Sequence, residues 1–102
     1  MQFDIHRNAD ANSKHVPYLL DVQSDLLSGV PTRIVVPMVR AAIYGKAESR
    51  LCPLFEIEGV KVIMLTTDIA GVEKSEIGAR VGSLAERRDD IRDALDFAFQ
   101  GF

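Results

Sequence analysis

The sequence predicts an α+β domain: a strongly curved or barrel-like antiparallel sheet followed by one C-terminal helix. Three observations lead there. The first two-thirds of the chain breaks into short segments of strand character, the last part carries the 3.6-residue period of an amphipathic helix, and no repeat or low-complexity linker divides them. With 102 residues, 47% of them apolar and 26% charged, residues 1–102 form a single domain that buries its own core.

The elements follow in order. Phe3 and Ile5 alternate with Gln2, Asp4 and His6, the period-2 pattern of a strand with one wet face. The polar, unperiodic stretch from Asn8 to Lys14 reads as a loop. Pro17 to Val22 resumes as a strand with Tyr18, Leu20 and Val22 on one side, and Ser28-Gly29-Val30-Pro31 is a turn cluster. Arg33 to Val39 is apolar after its first residue, which suits a strand buried on both faces. Pro37 removes one ladder donor from it, so a bulge, a bend or a sheet edge is expected there. Leu54–Ile57 and Val60–Leu65 flank Glu58-Gly59, a two-residue hairpin turn in which glutamate is not the ideal first residue. Ser83 and Glu86 have the spacing of a capping box. Leu84, Ile91, Leu95, Ala98, Phe99 and Phe102 form one stripe at 100° per residue, expected to lie on the sheet.

Composition narrows the function classes. A formal charge of −3 argues against generic nucleic-acid binding, which shows a basic excess. No apolar run approaches the roughly 20 residues that span a bilayer. The single cysteine, Cys52, forms no internal disulfide, and with no signal peptide in view the expected location is cytoplasmic. His6 and His15 have no ligand set around them, so no metal site and no cofactor are expected. Cys52, before Pro53, reads as a small buried hydrophobe, and Thr66-Thr67-Asp68 as a strand terminator. No phosphate loop, nucleophile elbow or zinc spacing is present, although a ribonuclease site of scattered Arg, Thr and Ser escapes such a search.

The exception is the back of the helix. Asp89, Asp93, Asp96 and Gln100 share one polar sector, and Asp93 and Asp96 stand near the C-terminal end, where each negative charge costs about 0.3–1 kcal/mol. Arg92 stands at i,i+4 spacing from Asp96. Phe97 lies off the core stripe, which calls for a second partner for the helix, and a two-fold dimer is the commonest one. The ending Phe97-Ala98-Phe99-Gln100-Gly101-Phe102 has no polar tail, so these residues are expected to be docked or used.

These same residues resemble a known family. Met1-Gln2-Phe3, the stretch Asp21-Val22-Gln23-Ser24-Asp25-Leu26-Leu27, Val35-Val36-Pro37-Met38, the run from Met64 to Val72 and the closing helix with Gly101 look like CcdB, the toxin family of the CcdA/CcdB plasmid-addiction modules, end to end and in the same order. The resemblance implies a homodimer of SH3-like barrels with a C-terminal helix, a fold shared with the MazF and Kid ribonuclease toxins. It implies a protein that is not itself an enzyme. Such a toxin binds the DNA gyrase A subunit and traps the gyrase–DNA cleavage complex; a CcdA-like antitoxin neutralises it, and toxin and antitoxin together bind operator DNA and repress their operon.

By position, the resemblance assigns gyrase binding to Leu26, Leu27, Asp93, Asp96, Gln100, Gly101 and Phe102. Two departures stand out. The best-studied member of the family has a tryptophan before the glycine, which stacks on a gyrase arginine, where this chain has Gln100; and the family's helix asparagines correspond to Asp93 and Asp96 here. A carboxylate facing an arginine makes a charge-assisted bond that offsets part of the lost stacking. For the antitoxin, Arg7, Lys14, Arg33 and Arg40 are the candidate receivers of an acidic peptide. Two alternatives stay open: a CcdB-like protein that still binds its antitoxin with gyrase poisoning weakened or lost, and a MazF/Kid-like ribonuclease toxin of the same fold.

Overall fold

The computed structural model describes residues 1–101, with Ala11 and Asn12 described by backbone alone. Seven strands form one curled sheet: β1 (Asp4–Asn8), β2 (Tyr18–Asp21), β3 (Thr32–Arg40), β4 (Leu54–Ile57), β5 (Val60–Met64), β6 (Ala70–Glu73) and β7 (Ile77–Ser83). They run in the order β4-β5-β3-β2-β1-β7, with β6 also paired to β3, and every pairing is antiparallel. A short helix α1 (Ala41–Tyr44) follows β3, and α2 (Arg88–Gln100) closes the chain. Inside the curl, Ile5, Tyr18, Leu20, Val36, Met38, Phe55, Val62 and Met64 pack against Ile91 and Ala94 of α2.

Long β3 is the spine, and Pro37 explains how one strand serves three. Along one edge β3 pairs with β2; along the other it pairs with β6 over Thr32–Val35 and with β5 over Met38–Arg40. The Pro37 carbonyl accepts the amide of Leu65 at 2.9 Å, so the proline's missing N–H faces the junction between β6 and β5. The lost donor falls where the partner changes, and the strand stays central instead of becoming an edge.

The β4–β5 hairpin is as expected, with Glu58 at φ 53 and Gly59 at φ 78, both positive as a type I′ turn requires. The unfavourable glutamate is held by its side chain. Tyr18 Oη donates to its Oε1 at 2.5 Å and Arg7 Nη2 to its Oε2 at 2.8 Å, tying the turn to β1 and β2.

Four expectations need correction. Phe3 lies before β1 with φ 71, so the chain turns there and both Phe3 and Asp4 are buried, where Asp4 was expected on a wet face. Arg80 Nε, 3.1 Å from Asp4 Oδ2, balances that carboxylate. The polar stretch after β1 is not wholly a loop, since Ala11–Lys14 make a 3-10 turn. Ser83 does not cap α2: its Oγ accepts the Ala85 amide, a 3-10 turn over Ala85–Arg87 intervenes, and the helix begins at Arg88.

The fourth correction concerns the helix stripe. Ile91 and Ala94 are buried and Leu84 and Leu95 pack beside them, but Ala98 is exposed and Phe99 is 71% exposed. Ala98 shares the azimuth of Ile91, so its exposure means that the last turn of α2 overhangs the sheet. Phe97, expected to be the free aromatic, is instead half-buried.

Candidate functional site

Leu26 and Leu27 stand on a corner between β2 and β3 that is assembled from side-chain hydrogen bonds. Asp21 is buried at the end of β2; its Oδ1 accepts the Gln23 amide at 3.0 Å, and its Oδ2 accepts Arg33 Nε at 3.1 Å and Nη2 at 2.6 Å. Buried Gln23 spans the corner, accepting the Ile34 amide at 2.9 Å and donating to the Leu27 carbonyl at 2.9 Å. Ser24 Oγ accepts the Leu26 amide, and Asp25 Oδ1 accepts the Gln2 amide at 2.8 Å. Each polar residue of the Asp21–Asp25 stretch thus fixes backbone, and the leucines after it have nowhere to go but out. Leu26 is 94% exposed and Leu27 46%, with Val30 and Ile34 exposed nearby in the chain. Leaving a whole leucine in water forgoes about 1.5–3 kcal/mol of burial, and this hydrogen-bonded corner presents two of them side by side in the chain.

The second part of the site is the last half of α2. Gly101 adopts φ 76, ψ 23, and its amide reaches the Phe97 carbonyl at 3.0 Å, so the glycine closes the helix in the left-handed conformation that other residues resist. Asp96 and Gln100 are exposed. Asp93 is engaged: Arg50, from the connection between α1 and β4, places Nε 3.0 Å from Oδ2 and Nη2 3.1 Å from Oδ1. The same guanidinium lies 4.7 Å from the centroid of the Phe97 ring. Asp93, with Asp96 and Glu48 nearby, holds the Arg50 guanidinium above its ordinary pKa. Arg92, expected to pair with Asp96, lies over the Phe3 ring instead at 5.7 Å. Phe102 falls outside the described residues.

Of the four basic residues expected to receive a peptide, Arg33 is corrected outright: it is buried and spent on Asp21. Arg7 is exposed beside Glu58, Lys14 is exposed, and Arg40 donates from Nε to the Lys14 carbonyl at 2.9 Å. A groove of about 240 Å³ between β1, β2 and β3 has Leu19 and Pro37 on its floor and Asp10, Asp68 and Glu76 around it, a charge that repels an acidic peptide. Cys52 is buried and its thiol is pushed up by desolvation, and Thr66 is spent on the Leu51 carbonyl at 2.5 Å, as the structural readings of both expected. Among the described residues no group of three or more His, Cys, Asp or Glu side chains is placed to hold a metal, and no helix is long and apolar enough to cross a membrane.

Residues 2–101 match the protein family described as CcdB protein. The chain belongs to the CcdB family. It is therefore a toxin-family chain of a toxin–antitoxin module, and the match takes in both parts of the site. Solved structures show the same fold at low sequence identity. An endoribonuclease in complex with its cognate antitoxin, from a mycobacterial species, superposes with a TM-score of 0.76 at 14% identity, covering 97% of this chain and 93% of that one. The Mycobacterium tuberculosis toxin MazF-mt6 gives 0.74 at 12% identity, covering 94% and 95%. A further mycobacterial endoribonuclease gives 0.72 at 13%, covering 97% and 89%. At these identities the likeness carries the fold alone, and this CcdB-family chain has the curled sheet and C-terminal helix of the CcdB/MazF type.

Proposed function

We propose that this protein binds the DNA gyrase A subunit and traps the gyrase–DNA cleavage complex, acting as a homodimer and as a binding protein without chemistry of its own. The observation that carries this reading is the outward presentation of Leu26 and Leu27 on a hydrogen-bonded corner, in a chain whose residues 2–101 match the CcdB family. The apolar corner supplies the desolvated centre of the contact; Asp96, Gln100, Gly101 and Phe102 supply its edge, with Asp93 held in reserve by Arg50. Exposed Phe99, in place of Phe97, is the helix's aromatic offered to a second subunit.

Asp96 is the residue that replaces lost tryptophan stacking by ion pairing with a gyrase arginine. It is exposed and, unlike Asp93, has no ion pair among the described residues. A CcdA-like antitoxin is the neutralising partner, and Arg7, Lys14 and Arg40 are the cations that remain on the surface for its acidic segment. The toxin–antitoxin complex, rather than the toxin by itself, binds operator DNA.

Expression in a gyrase-sensitive host tests the reading. Gyrase trapped on DNA with double-strand breaks is the expected outcome. RNA cleavage would establish the ribonuclease chemistry of the fold's other members, and unimpaired growth would mean that poisoning has been lost. Titration of a gyrase A dimerisation fragment with wild type and Asp96→Asn, at low and high salt, tests the arginine contact: the substitution weakens binding and flattens its salt dependence. Unchanged affinity and salt dependence would remove Asp96 from the interface.

A further inference from the structure

Arg50 is held by a carboxylate and an aromatic ring together. Its guanidinium makes two bonds to Asp93, at 3.0 and 3.1 Å, and its Cζ lies over the ring of Phe97, one turn along α2, at 4.7 Å from the centroid. A carboxylate and an aromatic ring at i and i+4 on one helix face match the two features of a guanidinium, the fork of donors and the flat cationic face. Lysine, a compact ammonium without the fork, fits such a pair poorly.

The clamp is also detachable. The backbone beneath Arg50 is anchored without its side chain: Glu48 accepts the amides of Arg50 and Leu51 at 3.1 and 2.7 Å, its carbonyl accepts the Cys52 amide at 2.8 Å, and Thr66 holds the Leu51 carbonyl. Arg50 is 44% and Asp93 52% exposed, so water stands ready to solvate both when they part. Asp93 and Phe97 continue along the helix into Gln100 and Gly101, at i+7 and i+8 from Asp93.

The geometry points to an arginine-binding site on α2, formed by Asp93 and Phe97 and filled in the free protein by its own Arg50, so that a partner docking on this face puts an arginine where Arg50 now lies. The site stands without the gyrase reading; that the displacing arginine belongs to the gyrase A subunit rests on it. Each docking event must first open the clamp, so apparent affinity is reduced by the fraction of molecules in which it is open.

The test uses the full chain with N-acetyl-arginine amide as the probe and N-acetyl-lysine amide as its control, followed by NMR at Phe97 and Asp93. Wild type should respond little. Arg50→Ala, with its site vacated, should show saturable shifts at both residues with the arginine probe and several-fold weaker ones with lysine. Arg50→Lys, which keeps the charge and loses the fork, should fall between wild type and Arg50→Ala; it serves alone where Arg50→Ala fails to fold. Equal responses of wild type and variants, equal responses to the two probes, or no shifts at Phe97 and Asp93 would each overturn the proposal. In a second arm, a gyrase A dimerisation fragment should bind Arg50→Ala about three- to tenfold more tightly than wild type, the gain expected from removing one exposed pair with its stacking. Weaker or equal binding would overturn the displacement. A fragment that binds neither protein, while the arginine probe still distinguishes them, would reject the gyrase reading and leave the site intact.

Discussion

The corner between β2 and β3 and the last turns of α2 are both polar constructions, but they are held by opposite means. At the corner, Asp21, Gln23 and Arg33 are all buried and bonded to one another or to backbone, so removing one member strands the others away from water. At the end of α2, Asp93, Asp96 and the Arg50 that reaches over from the α1–β4 connection are all exposed, and water can solvate any of them when a contact opens. The corner is a fixed platform for Leu26 and Leu27; the helix face is adjustable. In the proposed contact with gyrase A, the corner would supply an anchor fixed on folding and the helix a rim that can be rearranged on binding.

Substitutions that reach across this contrast should separate its halves by size of effect. Arg33→Ala leaves the Asp21 carboxylate buried without its main partner, and urea unfolding should show a loss of about 3–5 kcal/mol. Gly78→Ala sets a methyl 2.8 Å from the Arg7 carbonyl across the β1–β7 pairing; it should cost about 1–3 kcal/mol and leave the Leu26 corner unchanged by NMR shifts. Arg50→Ala, in contrast, should lower stability by less than about 1 kcal/mol in the same measurement. An Arg50→Ala loss as large as that of Arg33→Ala would erase the distinction between platform and adjustable face.

The smallest expected effect is one of pH, at the Tyr18–Glu58 contact. Tyr18 donates to the Glu58 carboxylate, and with Arg7 this holds Glu58 below its ordinary pKa. Burial, together with the adjacent carboxylate, pushes the Tyr18 hydroxyl up. The stability from Glu58 is full above the pKa of an unfolded-chain glutamate, about 4.3, and is lost as pH falls through its lower native value. That from Tyr18 is full below about 10 and declines as pH rises towards its higher native value. Thermal midpoints across pH should therefore show a shallower acid limb in Glu58→Gln and shallower limbs on both sides in Tyr18→Phe.

The sequence made the β4–β5 hairpin, the apolar strand β3 and the helix legible because each rests on local pattern or a turn dipeptide, although Ile34 of β3 is exposed where burial on both faces was expected. Periodicity also assigned Phe97 and Phe99 to opposite sides of the core boundary, and there it failed. A helical wheel gives azimuth and says nothing of how far the sheet extends beneath the helix. The corner motif could be quoted but not explained, since its logic depends on Arg33 lying beside Asp21 across a β2–β3 pairing. Arg50 was missed for the same reason. It stands 43 residues from Asp93 in a connection without periodicity, and only the fold brings the two together.

In the proposed contact with gyrase A, Leu26 is the anchor. Leu26 is 94% exposed, so Leu26→Ser should leave the thermal midpoint unchanged. The decisive measurement is a calorimetric titration of the gyrase A dimerisation fragment with wild type and Leu26→Ser. Wild type should bind, and Leu26→Ser should bind about 10- to 100-fold more weakly, the worth of one buried leucine. A wild type that gives no heat of binding, or a Leu26→Ser that binds as tightly as wild type, would contradict the account.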